Sequence, residues 1–156
     1  MDKLLDSFEV VFGKSFRKYF EEQSNKHGYK ILNSYQEVIL KFVQDESIGR
    51  DNYYRGTHTH FTRFLLISIE KFKNNSEIDF TELDHKGNLI WQLEHVIPQS
   101  NFEKKDSDKN KLGNLTLLHR DTNVEISDET FIVKKNLLLD KDESKFYINE
   151  VFRRDK

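Results

Sequence analysis

The chain has 156 residues, 36% of them hydrophobic, 13% aromatic and 33% charged, with a formal net charge of −2. That length suits one domain with a real core, and the near-neutral balance argues against disorder, which needs low hydrophobicity together with high net charge. The absence of cysteine excludes a disulfide framework, a thiolate zinc site and a thiol nucleophile.

The N-terminus, MDKLLDSFEVVF, lacks the basic start and apolar core of a signal peptide. No apolar run approaches the ~20 residues that a membrane span needs. The expected location is the cytoplasm, with no membrane partner. Leu4, Leu5, Phe8, Val11, Phe12, Phe16, Tyr19 and Phe20 follow helical spacing and predict one long amphipathic helix, stopping at His27-Gly28. A second helix is expected from Asn33-Ser34, with Tyr35, Val38, Ile39, Phe42 and Val43 as its apolar face. Residues 45–56 read as a loop. A third helix is predicted over 59–73, apolar on most sides and so central, ending at Asn74-Asn75-Ser76.

Beyond it the pattern changes. Residues 78–80 suggest a short strand and Lys86-Gly87-Asn88 a turn. Residues 89–93, LIWQL, are short, apolar and partly aromatic, as a strand is. Pro98 cannot donate to a ladder, so the strand ends before it. The charged run 99–111 reads as a loop, 112–118 (LGNLTLL) as a second strand and 120–125 as a short helix. Ser127 is expected to cap a further helix, and 145–154 to form a terminal helix with Phe146, Ile148 or Asn149, and Phe152 inward. The fold class is α+β: three helices, a strand–loop–strand–helix unit and a C-terminal helix. In domain terms, 1–76 is a helical part of the same domain, 77–140 the core unit and 141–156 the terminal helix or tail.

Charge alone gives no support to nucleic-acid binding. Between Pro98 and Asn136, seven Lys/Arg are balanced by seven Asp/Glu. The chemistry sits at the element ends. Glu94 and His95 close the first strand, Asn114 opens the second, and Asn123 lies on the short helix. A hairpin with a helix packed back across it could bring all four together. Glu94 and Asn123 offer oxygen ligands suited to Mg²⁺ or Mn²⁺. His95, on the opposite side of the strand from Glu94, could take a proton from water at a position outside the core. Asn114 could orient its ring, and the metal would stabilise the leaving oxygen of a phosphodiester.

The run EHVIPQS … KLGNLTLLHRDTNVEISDETFIVKK resembles the HNH, or ββα-metal, nucleases. It is most similar to the branch that forms the C-terminal domain of GmrSD-like type IV restriction enzymes and SspE-like phage-defence nucleases. The HNH domains of CRISPR effector nucleases share a looser version. The resemblance covers about 89–136, with a weaker helical match upstream at THFTRFLLISIEKF. It implies a helical part packed on a ββα-metal unit, and a nuclease that nicks DNA in a prokaryotic restriction or phage-defence system. His95 would be the general base, Asn114 its orienting residue, and Glu94 and Asn123 the ligands of one Mg²⁺ or Mn²⁺. Asn123 stands where the family name expects histidine. Expected partners are DNA, a nucleotide-dependent sensor domain or subunit, and a second copy in a homodimer.

Each residue also has a plainer reading. Asn114 after Gly113 could be a turn residue and Asn123 a helix cap, with Asp121 or His119 as substitute ligands. Lys134, Lys135, Arg120, Arg63 and His60 are candidate nucleic-acid contacts, as are Arg50 and Arg55; all could equally be surface ion-pairing residues. Two rivals remain: a catalytically inactive HNH-like module that binds DNA or protein, and structural zinc binding by His58, His60 and His95.

Overall fold

The computed structural model describes residues 2–26, 28, 37, 41, 54, 58–102 and 108–154. Among these, the chain is an α+β protein whose one sheet has two antiparallel strands. In chain order it runs α1 (Asp2–Phe12), α2 (Ser15–Lys26), α3 (His58–Asn74), β1 (Trp91–His95), β2 (Leu115–His119), α4 (Arg120–Ile126) and α5 (Phe131–Leu138). Among the described residues, three 3-10 turns lie between β1 and β2 and two 3-10 segments follow α5.

The expected long first helix is two helices. Gly13 breaks it at φ +90 with no atom within 4 Å of where its Cβ would stand. Backbone conformation, not crowding, therefore calls for glycine there. The break folds α2 back on α1, so that Phe8 and Phe16 meet at 5.0 Å between ring centroids. The second expected helix lies outside the described residues, apart from Glu37 and Lys41, both helical.

Helix α3 follows its predicted span closely. Phe61, Phe64, Leu65, Leu66 and Ile67 are buried, but Phe72 is 51% exposed, so the apolar character does not run all the way round. Phe64 takes Phe8 edge-on at 5.2 Å and Phe20 at 4.9 Å, a geometry that aromatic quadrupoles favour. The same core cluster includes Trp91 and Leu93 of β1, Leu115 and Leu117 of β2, and Phe146. Helices and hairpin thus share one interior. A second cluster, with Val96, Leu118, Ile126, Leu138 and Phe152, joins the hairpin to α4, α5 and the C-terminal turn.

Several boundaries move. Residues 78–80 form no strand; the local pairing is an isolated bridge between Leu83 and Leu89, around a turn in which Gly87 has φ +79. Strand β1 starts two residues later than expected and takes in Glu94 and His95, because pairing with Thr116 and Leu115 continues the ladder. Leu112–Asn114 is a 3-10 turn leading into β2. Ser127, at φ 42, closes α4, and Thr130 precedes α5. The terminal segment is 3-10 over Tyr147–Phe152, with Phe146, Asn149 and Phe152 buried as expected.

Asn149, fully buried, ties that segment to the sheet. Its Nδ2 donates to Leu117 O at 3.3 Å and Glu143 O at 2.9 Å, and its Oδ1 accepts from the Thr116 hydroxyl. Glu70 of α3, also buried, accepts from the Ile148 N–H at 3.1 Å. Replacing Asn149 by alanine leaves buried partners unpaired, at a cost of about 1–3 kcal/mol. Urea denaturation should show that loss as a lower midpoint with an unchanged slope.

Candidate active site

Alternation along β1 buries Trp91, Leu93 and His95 and leaves Gln92 and Glu94 partly open on the other face. His95 ends the strand only 4% exposed, a correction to its expected place outside the core. The Tyr54 ring covers it at 4.1 Å between centroids. Its Nε2 lies 3.1 Å from Asn110 Oδ1. As an acceptor, that oxygen places the ring proton on Nε2 and leaves Nδ1 as the basic nitrogen. Gln99 Nε2 stands beside the ring edge, 3.4 Å from Nδ1 and 3.3 Å from Nε2. Burial lowers the His95 pKa below its usual 6.5, opposed by the Asn110 hydrogen bond and the Glu94 charge, with Lys134 adding to the lowering. The imidazole is therefore neutral at pH 7, as a proton acceptor must be.

Asn114 acts one step removed from the ring it was expected to orient. Its Oδ1 accepts from Ile97 N–H at 2.8 Å, and its Nδ2 donates to Ile97 O and Lys109 O, both at 3.0 Å. Its own carbonyl accepts from Val96 N–H at 2.9 Å. The side chain so clamps the exit of β1 to the segment that carries Asn110. The ring's direct partner is Asn110, which sequence reasoning missed. It is one polar residue in a charged run, and only the 3-10 turn Asp108–Asn110 aims it at the histidine.

Glu94, on the opposite face, is paired with Lys134. Lys134 is fully buried on α5 and also donates to the His95 carbonyl at 2.9 Å. It is an interior ion-pair partner, not the surface phosphate contact that its position in a charged helix implied. Asn123 of α4 donates from Nδ2 to Gln92 Oε1 at 2.9 Å. Its Oδ1 is buried with no partner, one of two such side-chain atoms among the described residues, the other being His60 Nδ1. Gln92 and Glu94 share a strand face, so Asn123 is tied through Gln92 to the face that carries the carboxylate. Oxygen donors of these two kinds suit a hard divalent ion that keeps most of its waters. Among the described residues no three His, Asp or Glu gather as a metal site; the zinc reading includes His58, whose side chain lies outside the described residues.

Other candidates are distributed unevenly. Tyr54, His60, Arg63, Asn88, Gln92 and Asn123 line one cleft of about 650 Å³ between the N-terminal helices and the hairpin. Arg63 donates to the Trp91 carbonyl, and burial lowers its pKa to about 10, so it stays cationic. His60 lies against Phe12 at 4.1 Å, and burial, then Arg63, lowers its pKa. Arg120 is held by Asp84 at 2.5 Å, and Lys135 donates to the Arg154 carbonyl at 2.7 Å; both stand outside the residues lining the cleft. His119 accepts from Asp121 N–H at 3.3 Å, capping α4. Arg50 and Arg55 lie outside the described residues.

The unfolded chain binds a proton at His95 near pH 6.5 and the folded chain only at lower pH. Its contribution to stability is complete above pH 6.5 and is lost as pH falls toward the folded value. Denaturation midpoints should therefore fall below pH 6.5, less steeply in His95→Gln. In Asn110→Leu, which removes the acceptor that favours the charged ring, the His95 pKa should drop further, as read by histidine NMR titration.

The family model described as the C-terminal domain of GmrSD restriction endonucleases matches residues 43–156, well over half of the chain. Among curated proteins and solved structures there is no significant match.

Proposed function

Because the chain belongs to the family of GmrSD restriction endonuclease C-terminal domains, its function is restriction-endonuclease-related, and we propose that it is a metal-dependent HNH nuclease that nicks DNA. The observation that carries this is the neutral, buried His95 with its ring proton held on Nε2 by Asn110, on the same short strand as an oxygen-bearing face. His95 Nδ1 takes the proton from the attacking water. Glu94 and the unpartnered Asn123 Oδ1 would hold one Mg²⁺ or Mn²⁺. When bound, that ion supplies positive charge against the charge developing on the phosphate and the leaving oxygen. Asn114 keeps the exit of β1 against the Asn110 turn, and so keeps base and face in register. Arg63, cationic in the wall of the cleft that Asn123 also lines, would add positive charge beside a bound phosphate.

The net charge of −2 offers DNA little long-range attraction. The proposed system therefore includes a nucleotide-dependent sensor domain or subunit that grips the DNA, within prokaryotic restriction or phage defence. A single site cuts one strand per encounter, so a double-strand break would require a second copy.

Plasmid nicking with Mg²⁺ or Mn²⁺ tests the reading. His95→Ala and His95→Gln, checked for folding by thermal melts because the position is buried, should lose about 10²–10⁴-fold in rate, the usual contribution of a general base. Wild-type nicking by a folded variant would sink the assignment. The acid limb of the wild-type pH–rate profile should lie below pH 6.5. Asn123→Ala should raise the metal concentration needed for half-maximal nicking while leaving DNA binding unchanged, as comparison of gel-shift and nicking titrations would reveal.

A further inference from the structure

Helix α5 departs from the usual distribution of residues at one inward position. It exposes Ile132 (64%) and Val133 (37%) and buries Lys134 completely. An apolar residue at the inward position would anchor the helix without the desolvation cost of an ammonium group. A local rule broken in this way marks a position kept for something other than stability. The buried ammonium contacts two groups that are adjacent in sequence, the Glu94 carboxylate and the His95 carbonyl, and the side chains of those two residues face opposite sides of the strand.

We propose that Lys134 is a positioning residue, an internal cation that fixes the Glu94 carboxylate and the main chain at His95 before a divalent ion binds. The inference rests on the nuclease reading and extends it to a residue outside the expected ligand set. Lys134 pairs with one carboxylate oxygen, Oε1. Its hold on the His95 carbonyl fixes the end of β1, from which the imidazole projects. The arrangement has an electrostatic consequence. A divalent ion arriving at Glu94 meets a positive charge already seated there, so the lysine gives a preorganised carboxylate at the expense of metal affinity. Two effects of opposite sign follow from one side chain. Removing the charge should tighten metal binding, and removing the tether should slow the reaction.

A merely structural ion pair has neither consequence. Its loss would lower stability and leave metal affinity where it was, or weaken it along with activity. The test uses the full chain with Lys134→Met, similar in length and uncharged, and Lys134→Gln, which keeps a hydrogen-bond donor. Calorimetric titration with Mn²⁺ should give about tenfold tighter binding in both variants, the effect of removing a unit charge about 5 Å from a divalent ion at near-aqueous screening. Turnover at saturating Mn²⁺ should fall about 10–100-fold in Lys134→Met, the range for losing a group that orients a ligand. In metal-free melts Lys134→Met should unfold below the wild type, because the largely buried Glu94 carboxylate is left without its partner, and Mn²⁺ should raise its Tm by more than it raises the wild type's. Unchanged or weaker Mn²⁺ affinity in the folded variants overturns this inference alone. Failure of both variants to fold makes Lys134 a folding determinant and overturns it too. If the wild type itself binds no Mn²⁺, the nuclease reading falls and this inference falls with it.

Discussion

The register of one five-residue strand pair governs everything that the site contains. With Glu94 opposite Thr116 and His95 opposite Leu115, the imidazole is turned under Tyr54 and the carboxylate toward α5. A slip of one residue would exchange the two faces, burying Glu94 without its lysine and exposing His95. Two short strands hold a register weakly by themselves. Here the pairing is fixed from both ends. Asn114 bonds the exit of β1 to the turn before β2, and Asn149 bonds β2 to the C-terminal segment. The polar side chains that look like loop residues in the sequence are the ones that fix the alignment.

Where the sequence was legible, regular physical periodicity made it so. The central helix α3, the turn around Gly87 and the short helix α4 emerge within a few residues of their expected places, because apolar spacing and glycine placement are local signals. Glu94, His95, Asn114 and Asn123 were identifiable through the resemblance, and they do lie on or beside the hairpin. Two of the three main misses are nonlocal; the first is a local break hidden by the pattern around it. Gly13 interrupts an apolar stripe that itself continues unbroken, so the stripe predicts one helix where two exist. Asn110 becomes the partner of His95 only through a turn whose direction depends on Asn114. Lys134 sits in a Lys-Lys pair that reads as a solvated face, and no helical pattern distinguishes the buried member from the partly exposed one.

Three cations around the hairpin are committed to internal geometry. Arg63 holds a strand carbonyl, Arg120 an aspartate at a turn, and Lys134 a carboxylate and a carbonyl. The Arg120 pair is part-exposed and of the kind that contributes little, but all three cations connect elements distant in sequence. Under the proposed function, positive charge serves first to build the site and only secondarily to attract substrate. That division is compatible with a nuclease domain that works beside another module able to hold DNA.

The shared interior of helices and hairpin bears on where this protein's functional unit begins. The family match starts at residue 43, yet Leu5, Phe8, Phe16 and Phe20 of α1 and α2 belong to the same buried cluster as Trp91 and Leu117. A boundary drawn by sequence similarity therefore cuts through a hydrophobic core. The stretch that carries the chemistry is not a transplantable cassette. Lifted out alone, it would leave behind the aromatic rings against which its strands are packed, and a recombination that moved it between proteins would have to bring an equivalent helical wall along.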